Sequence, residues 1–273
     1  MERIEDIPGT TLHEGISWDW ETFPEYLDAI DQRRYAVDIA AYVPHGAVRG
    51  YVMGERGARN EDATATDIDE MARIVREARE AGAIGFSTSR TMGHKAKDGQ
   101  PVPGTFANST ELNALADALV AGGGGIFEVA PEVLPDGGNQ PTMGMKEEME
   151  WMGDLALRTD LKVTYLLLQY MTMPDAWKYA LDFSSDVLAK GGYLRPQVAA
   201  RPFGMMINWA GYHPFMKRPT FIELSSTLSL SELRDALART EIREKILSET
   251  DIASDPSVQF DGLGPALGLI PHL

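Results

Sequence analysis

Short, nearly all-apolar runs alternate along this chain with amphipathic helical segments, and that alternation restricts the fold more than any other feature. The plainest helix covers 66–81, TDIDEMARIVREAREA. Thr66 and Asp69 supply its start signal, and arginines follow an acidic first turn. Ile68, Met71, Val75 and Ala78 recur at helical spacing, and Gly82 ends it. Ala83-Ile84-Gly85-Phe86-Ser87 then reads as a strand running into a polar loop. The unit repeats. A helix over 109–121, stopped by Gly122 to Gly125, leads to a strand over 126–130. Helix 145–158 leads to strand 161–168, and helix 174–190 leads to strand 193–199. With a first strand over 37–43, five strands are joined by helices, as in a parallel sheet buried on both faces.

Right-handed crossovers wind such strands into a barrel or an open doubly wound sheet. No dinucleotide-type glycine loop follows any strand, and the loops after the strands are long, at 87–108 and 200–217, as on the active-site face of a (β/α)8 barrel. The expected fold is therefore α/β, a TIM-like barrel. Only about five to six βα units are present, so 1–273 reads as the central and later part of a barrel. Helices near 218–225 and 229–248 and the tail DPSVQFDGLGPALGLIPHL bring no closing strand–helix unit. Unpaired strand edges then imply self-association or partial disorder.

Bulk composition excludes several partners. A formal charge of −16 repels nucleic acid phosphates and anionic membranes, with no basic stripe to offset it. The longest apolar runs are strand-sized, and Met1-Glu2-Arg3-Ile4-Glu5-Asp6 lacks a signal-peptide pattern. Without cysteine there is no disulfide, thiolate ligand or thiol nucleophile, which fits a cytoplasmic protein.

Polar residues gather where the strands end. A strand of a parallel sheet delivers its last side chains to the rim where ligands bind. The first strand ends at Pro44-His45-Gly46, offering His45 and Arg49; the second offers Ser87, Thr88, Ser89 and Arg90, with His94 beyond. Glu128 lies inside the third, with Glu132 after it, and Gln169 ends the fourth. Arg195, Gln197 and Arg201 mark the fifth, followed by Asn208 and His213. Each has an ordinary alternative: His45 as a turn residue, Arg201 as a partner of loop carbonyls, Asn208 as a loop former. The five tryptophans and thirteen methionines read as packing. There is no His-x-His, no HExxH and no G-x-S-x-G elbow, so any metal would need ligands from several strands.

Several stretches resemble the N-acyl-D-amino-acid deacylase (D-aminoacylase) family of the amidohydrolase superfamily. They are IPGTTLHEGISWDWETFPEYLDAID (7–31), VPHGAVRGYVMGERGARNEDATATDIDEM (43–71), AGAIGFSTSRTMGH (81–94), RPQVAARPFG (195–204) and HPF (213–215). The resemblance implies a metal-dependent barrel that hydrolyses the amide of acylated D-amino acids, with zinc activating water and an aspartate on the last strand shuttling protons. It also implies a longer protein. The family's first-strand His-x-His would lie before Met1 and its late aspartate after Leu273. Where the family places metal histidines on two consecutive strands, this chain has IFEVAPE and TYLLLQY, offering Glu128 and Gln169. Zinc is thus expected of the family and doubtful for this chain, and no metal ligand is assigned.

On the same resemblance, His45 and Arg49 match the family's histidine–glycine loop, and Ser87, Ser89 and Arg90 its Gly-[FL]-Ser-Thr segment; both would line the pocket. Glu128 and His45 are the catalytic candidates. Arg49, Ser87, Ser89, Arg90, Gln169 and Arg201 are the substrate-binding candidates, Arg201 because a guanidinium fork matches a carboxylate. The expected substrate is a small acylated amino acid or related amide. Two other readings stand beside this one: a non-catalytic barrel piece that binds or assembles, and a lyase or isomerase using Glu128 as base.

Overall fold

The computed structural model describes residues 9–91, 94, 96, 100–132, 143–169, 174–200, 213 and 215–252. In chain order the elements are α1 (Gly9–Gly15), α2 (Phe23–Asp31), β1 (Tyr42–Pro44), α3 (His45–Met53), α4 (Glu55–Ala58), α5 (Ala65–Ala81), β2 (Gly85–Ser89), α6 (Ser109–Ala121), β3 (Ile126–Ala130), α7 (Met143–Arg158), β4 (Lys162–Leu166), α8 (Ala176–Ala189) and β5 (Leu194–Gln197). Three helices follow: α9 (Pro219–Thr227), α10 (Leu230–Leu237) and α11 (Thr240–Ser248). The chain divides into two compact units, Met1–Ala199 and Ala200–Leu273. Among the described residues no helix is long and apolar enough to cross a membrane.

The first unit holds one five-stranded sheet in the order β1-β2-β3-β4-β5, every neighbouring pair parallel. A doubly wound sheet reverses its strand order at a switch point; this one never does. Strands laid down in sequence order with helices between them form an arc of a (β/α) barrel, here not closed.

The two faces of the arc differ. Val43, Phe86, Phe127, Val163 and Leu194 occupy one register row and are fully buried toward the helices. Tyr165, on the same side, donates its hydroxyl to Ala180 O of α8 at 3.1 Å. The core continues through Met71, Val75 and Ala78 of α5, Leu112, Leu115 and Leu119 of α6, and Met149, Met152 and Leu155 of α7. Full burial of such a side chain contributes about 1.5–3 kcal/mol. On the opposite, inner face, Lys162, Leu166, Arg195 and Gln197 are exposed. Burial on both faces, expected from the apolar strand runs, holds along the helix side, whereas on the inner face Thr164 is buried among half-buried and exposed neighbours; further strands of a closed barrel are what would cover that face.

Local signals explain most element boundaries. Asn108 caps α6 by accepting the Glu111 amide, and Gly123, Gly124 and Gly125 take positive φ angles between α6 and β3. The α5 start differs from expectation: Thr64 and Asp67 form the capping box, two residues ahead of Thr66 and Asp69. The first strand also shrinks. Only 42–44 pair, and Val37 and Ile39 are exposed, because the described residues supply no strand to the outer side of β1. In the second unit the segment 229–248 is two helices, broken at Ala238–Arg239. That unit packs Phe221, Leu233 and Ile246 into a small core of its own.

Gly85 opens β2 where the backbones of β2 and β3 approach closely. A Cβ there would lie 2.0 Å from Ile126 O, so one strand must move. Gly85→Ala is expected to cost about 3 kcal/mol or more, read as a lowered urea midpoint; an unchanged midpoint would show that the strands separate freely.

Candidate active site

The inner face carries a polar row built by strand register: Ser87 opposite Glu128, Glu128 opposite Thr164, and Thr164 opposite Arg195. Glu128 is half-buried, and burial pushes its carboxyl above the ordinary value. No hydrogen bond joins it to another described residue. The Tyr42 phenol is raised by burial and, secondarily, by the Glu128 charge, so the two groups sense each other across the sheet. Thr164 is buried, and its Oγ1 has no partner among the described residues. At the end of β2, Ser89 Oγ lies 2.6 Å from His94 Nδ1.

His45 and Arg49 sit elsewhere, on the helix side of the rim. His45 begins α3, and both residues are buried. Glu111, in the first turn of α6, accepts from His45 Nε2 at 2.8 Å and from Arg49 Nη1 on both oxygens, at 2.8 and 2.7 Å. With the carboxylate ionised, Nε2 is the donor, so Nδ1 accepts from the Thr88 hydroxyl at 2.8 Å. Arg49 also donates to Glu61 O. Hydroxyl, imidazole and carboxylate thus stand in the connectivity of a nucleophile triad, but Thr88 is buried and Arg49 engages the acid, so here the chain of bonds joins β1, β2, α3 and α6. Burial pushes the Glu111 carboxyl up, and the His45 and Arg49 contacts overcome it, leaving it below its ordinary value. Burial pushes the His45 imidazole down, and the pull of Glu111 does not restore it.

Arg90 donates to Glu148 Oε1 at 2.6 Å and to Ala107 O at 2.6 Å, with its guanidinium over the Trp151 ring. Burial raises the Glu148 carboxyl, against the charge of Arg90. Gln169 is exposed, its amide 3.5 Å from Pro174 O. Arg201 and Asn208 lie outside the described residues. His213 belongs to the second unit, buried edge-on to Phe221 at 4.4 Å. The structure therefore brings together two groups of the expected residues, Ser87 with Glu128 and His45 with Arg49, and leaves Gln169 apart from both. Three participants were not anticipated: Glu111, Glu148 and Thr164.

Zinc requires several converging donors. Among the described residues no group of three His, Asp or Glu side chains is arranged to hold a metal ion. Glu128 stands alone on the inner face, His45 uses both ring nitrogens, and His94 faces Ser89. The described donor set does not fit zinc.

Residues 5–244 match the amidohydrolase family profile. The chain belongs to the amidohydrolase family. An uncharacterised protein of Mycobacterium tuberculosis is 26% identical over 281 residues, covering 98% of this amidohydrolase chain and 43% of that protein. A D-aminoacylase of Alcaligenes xylosoxydans is 38% identical over 81 residues, 30% of this chain and 16% of that enzyme. Among solved structures, the N-acyl-D-glutamate deacylase of Bordetella bronchiseptica, complexed with zinc and a phosphonate mimic of the tetrahedral intermediate, superposes with a TM-score of 0.52. That match has 22% identity and covers 66% of this chain and 34% of that one. A D-aminoacylase crystal structure gives 0.50 at 21% identity, covering 67% of this chain and 34% of that one. These structural matches establish the barrel fold. The chain spans less than half the length of the mycobacterial relatives it matches along 98% of its own length.

The Glu111 cluster makes stability acid-sensitive. Both folded-state values lie below the ordinary ones, so the unfolded chain binds more protons on the acid side. The histidine contribution is present above the ordinary imidazole value and is lost as pH falls through it; the carboxylate contribution goes at lower pH, through the depressed folded value. The melting temperature is expected to fall between about pH 7 and about pH 5, with Glu111→Gln costing about 3–5 kcal/mol at neutral pH because it strands the buried Arg49 charge. A flat pH profile would contradict this assignment.

Proposed function

We propose that this amidohydrolase chain forms one wall of a site that hydrolyses the amide of an N-acyl-D-amino acid or a similar carboxylated amide. The observation that carries the reading is Glu128, a half-buried carboxylate on the inner barrel face, held above its ordinary value and free of hydrogen bonds to described residues. A carboxyl group raised by burial toward the working pH is suited to proton transfer at an amide nitrogen. Family membership and the likeness to N-acyl-D-glutamate deacylase and D-aminoacylase support the substrate class. Ser87 and Ser89 orient the bound amide along β2. His45 and Arg49 act at one remove, holding the rim through Glu111, while Arg90 fixes the loop before α6 through Ala107 O. The absence of cysteine supports a cytoplasmic setting.

The full-length protein, supplied with zinc, is expected to release free amino acid from a panel of N-acyl-D-amino acids. Glu128→Gln should lower kcat/KM about 100-fold or more, and no turnover on a broad amide panel would sink the reading. The poor fit of the described donors to zinc favours a second reading, a barrel piece that binds without turnover. Metal analysis separates the two: stoichiometric zinc on this chain alone would refute the second. Among the described residues the outer edges of β1 and β5 are unpaired, which supports self-association of the chain by itself. Sedimentation should then show species above 30.0 kDa, and a single monomer boundary would argue against it.

A further inference from the structure

Thr164 is the one residue of the inner polar row whose chemistry is otherwise unexplained. It lies in β4, directly opposite Glu128 of β3 in a parallel pair. Its neighbours Val163 and Tyr165 point to the helices, Tyr165 bonding α8, so Thr164 and Glu128 share the opposite face. Thr164 is only 6% exposed, and its hydroxyl oxygen meets no partner among the described residues. A buried hydroxyl in that state is costly to the fold, and a valine of the same shape would avoid the cost. The partner next to it is also unbonded: no described residue donates to the Glu128 carboxylate. Two complementary groups, a rotatable donor and a carboxylate on a three-torsion stem, stand side by side without using each other.

Ser87 flanks Glu128 on the other side, but it is half-exposed and can be satisfied by solvent. Thr164 cannot. The other titratable or charged groups of the described strands on this face are Tyr42 of β1, Lys162 of β4 and Arg195 of β5, and both cations are exposed.

We propose that Thr164 is the positioning residue of Glu128, its hydroxyl donating to the carboxylate whenever that carboxylate is ionised. In the structure the hydroxyl stands idle beside the carboxyl. When Glu128 gives up its proton, a turn of the side chain places a charged oxygen against the waiting O–H. The bond holds the base in one orientation and lowers the cost of its ionisation. The argument rests on Glu128 being the acid–base group of the proposed site, yet its test needs no substrate.

The test is a carbon-13 NMR titration of Glu128 in the full chain as wild type, Thr164→Val, Thr164→Ala and Thr164→Ser. Removing the hydroxyl is expected to lower the Glu128 ionisation constant about tenfold, moving its midpoint to higher pH, and Thr164→Ser should restore it. Below that midpoint Thr164→Val should melt no lower than wild type, because the hydroxyl does nothing for the fold while Glu128 is neutral. An unchanged midpoint in both Thr164→Val and Thr164→Ala would overturn the proposal and reduce Thr164 to packing. Absence of amide turnover would overturn the proposed function while leaving the titration result in place, so the two failures are distinguishable.

Discussion

One carboxylate fixes the geometry of the rim. Glu111 is in the first turn of α6, where the helix dipole already favours negative charge, and its two oxygens take three hydrogen bonds from His45 and Arg49 of α3. Through His45 the same network reaches Thr88 near the end of β2. Two βα units far apart in sequence are thereby locked at the edge where the inner face begins. A buried polar network of this kind depends on its members satisfying one another, and here only Arg49 Nε is left without a partner among the described residues.

That lock separates the two faces of the sheet in function. The helix side is a continuous apolar core, with Phe86 and Phe127 in ring contact at 5.1 Å and His45 beside Phe86 at 5.3 Å. On the inner side Glu128 and Thr164 keep their polar atoms uncommitted among the described residues. Glu128, Ser87 and Thr164 sit on strands that cannot shift without disturbing the core behind them, so their spacing is inherited from the sheet. The buried charges of Arg49 and Glu111 on the helix side are paired, whereas Glu128 on the inner side has no described partner.

Much of this was legible in the sequence, for reasons that can be named. The α6 bounds follow from an N-terminal cap and a run of glycines, the β3 bounds from the short apolar run after them, and the barrel class from the repeating unit. The α5 start was misplaced because TATDID offers two overlapping Thr-x-x-Asp frames, and only the geometry of Asp67 decides between them. The run before β1 has the residues of a strand, but pairing is a property of a neighbour, and none is described there. Glu111 was missed because an acid in a first helical turn reads as routine dipole compensation. Its partners lie 66 and 62 residues away, a distance that no local pattern encodes. Thr164 hid within VTYLLL, where a β-branched residue reads as an ordinary strand former. His45 was found as a rim residue, yet its direction, into the core, depended on Glu111.

The contact between His45 and Gly104 limits what the rim can become. Gly104 has a φ of +95°, and a side-chain carbon added there would lie 2.7 Å from His45 Nδ1. The space above the imidazole therefore belongs to the imidazole. Even if the histidine were lost, the positive φ would still hold position 104 to glycine, so the ring and the backbone bar a side chain there independently. Two separate constraints thus converge on one glycine, and relaxing either leaves the other in force.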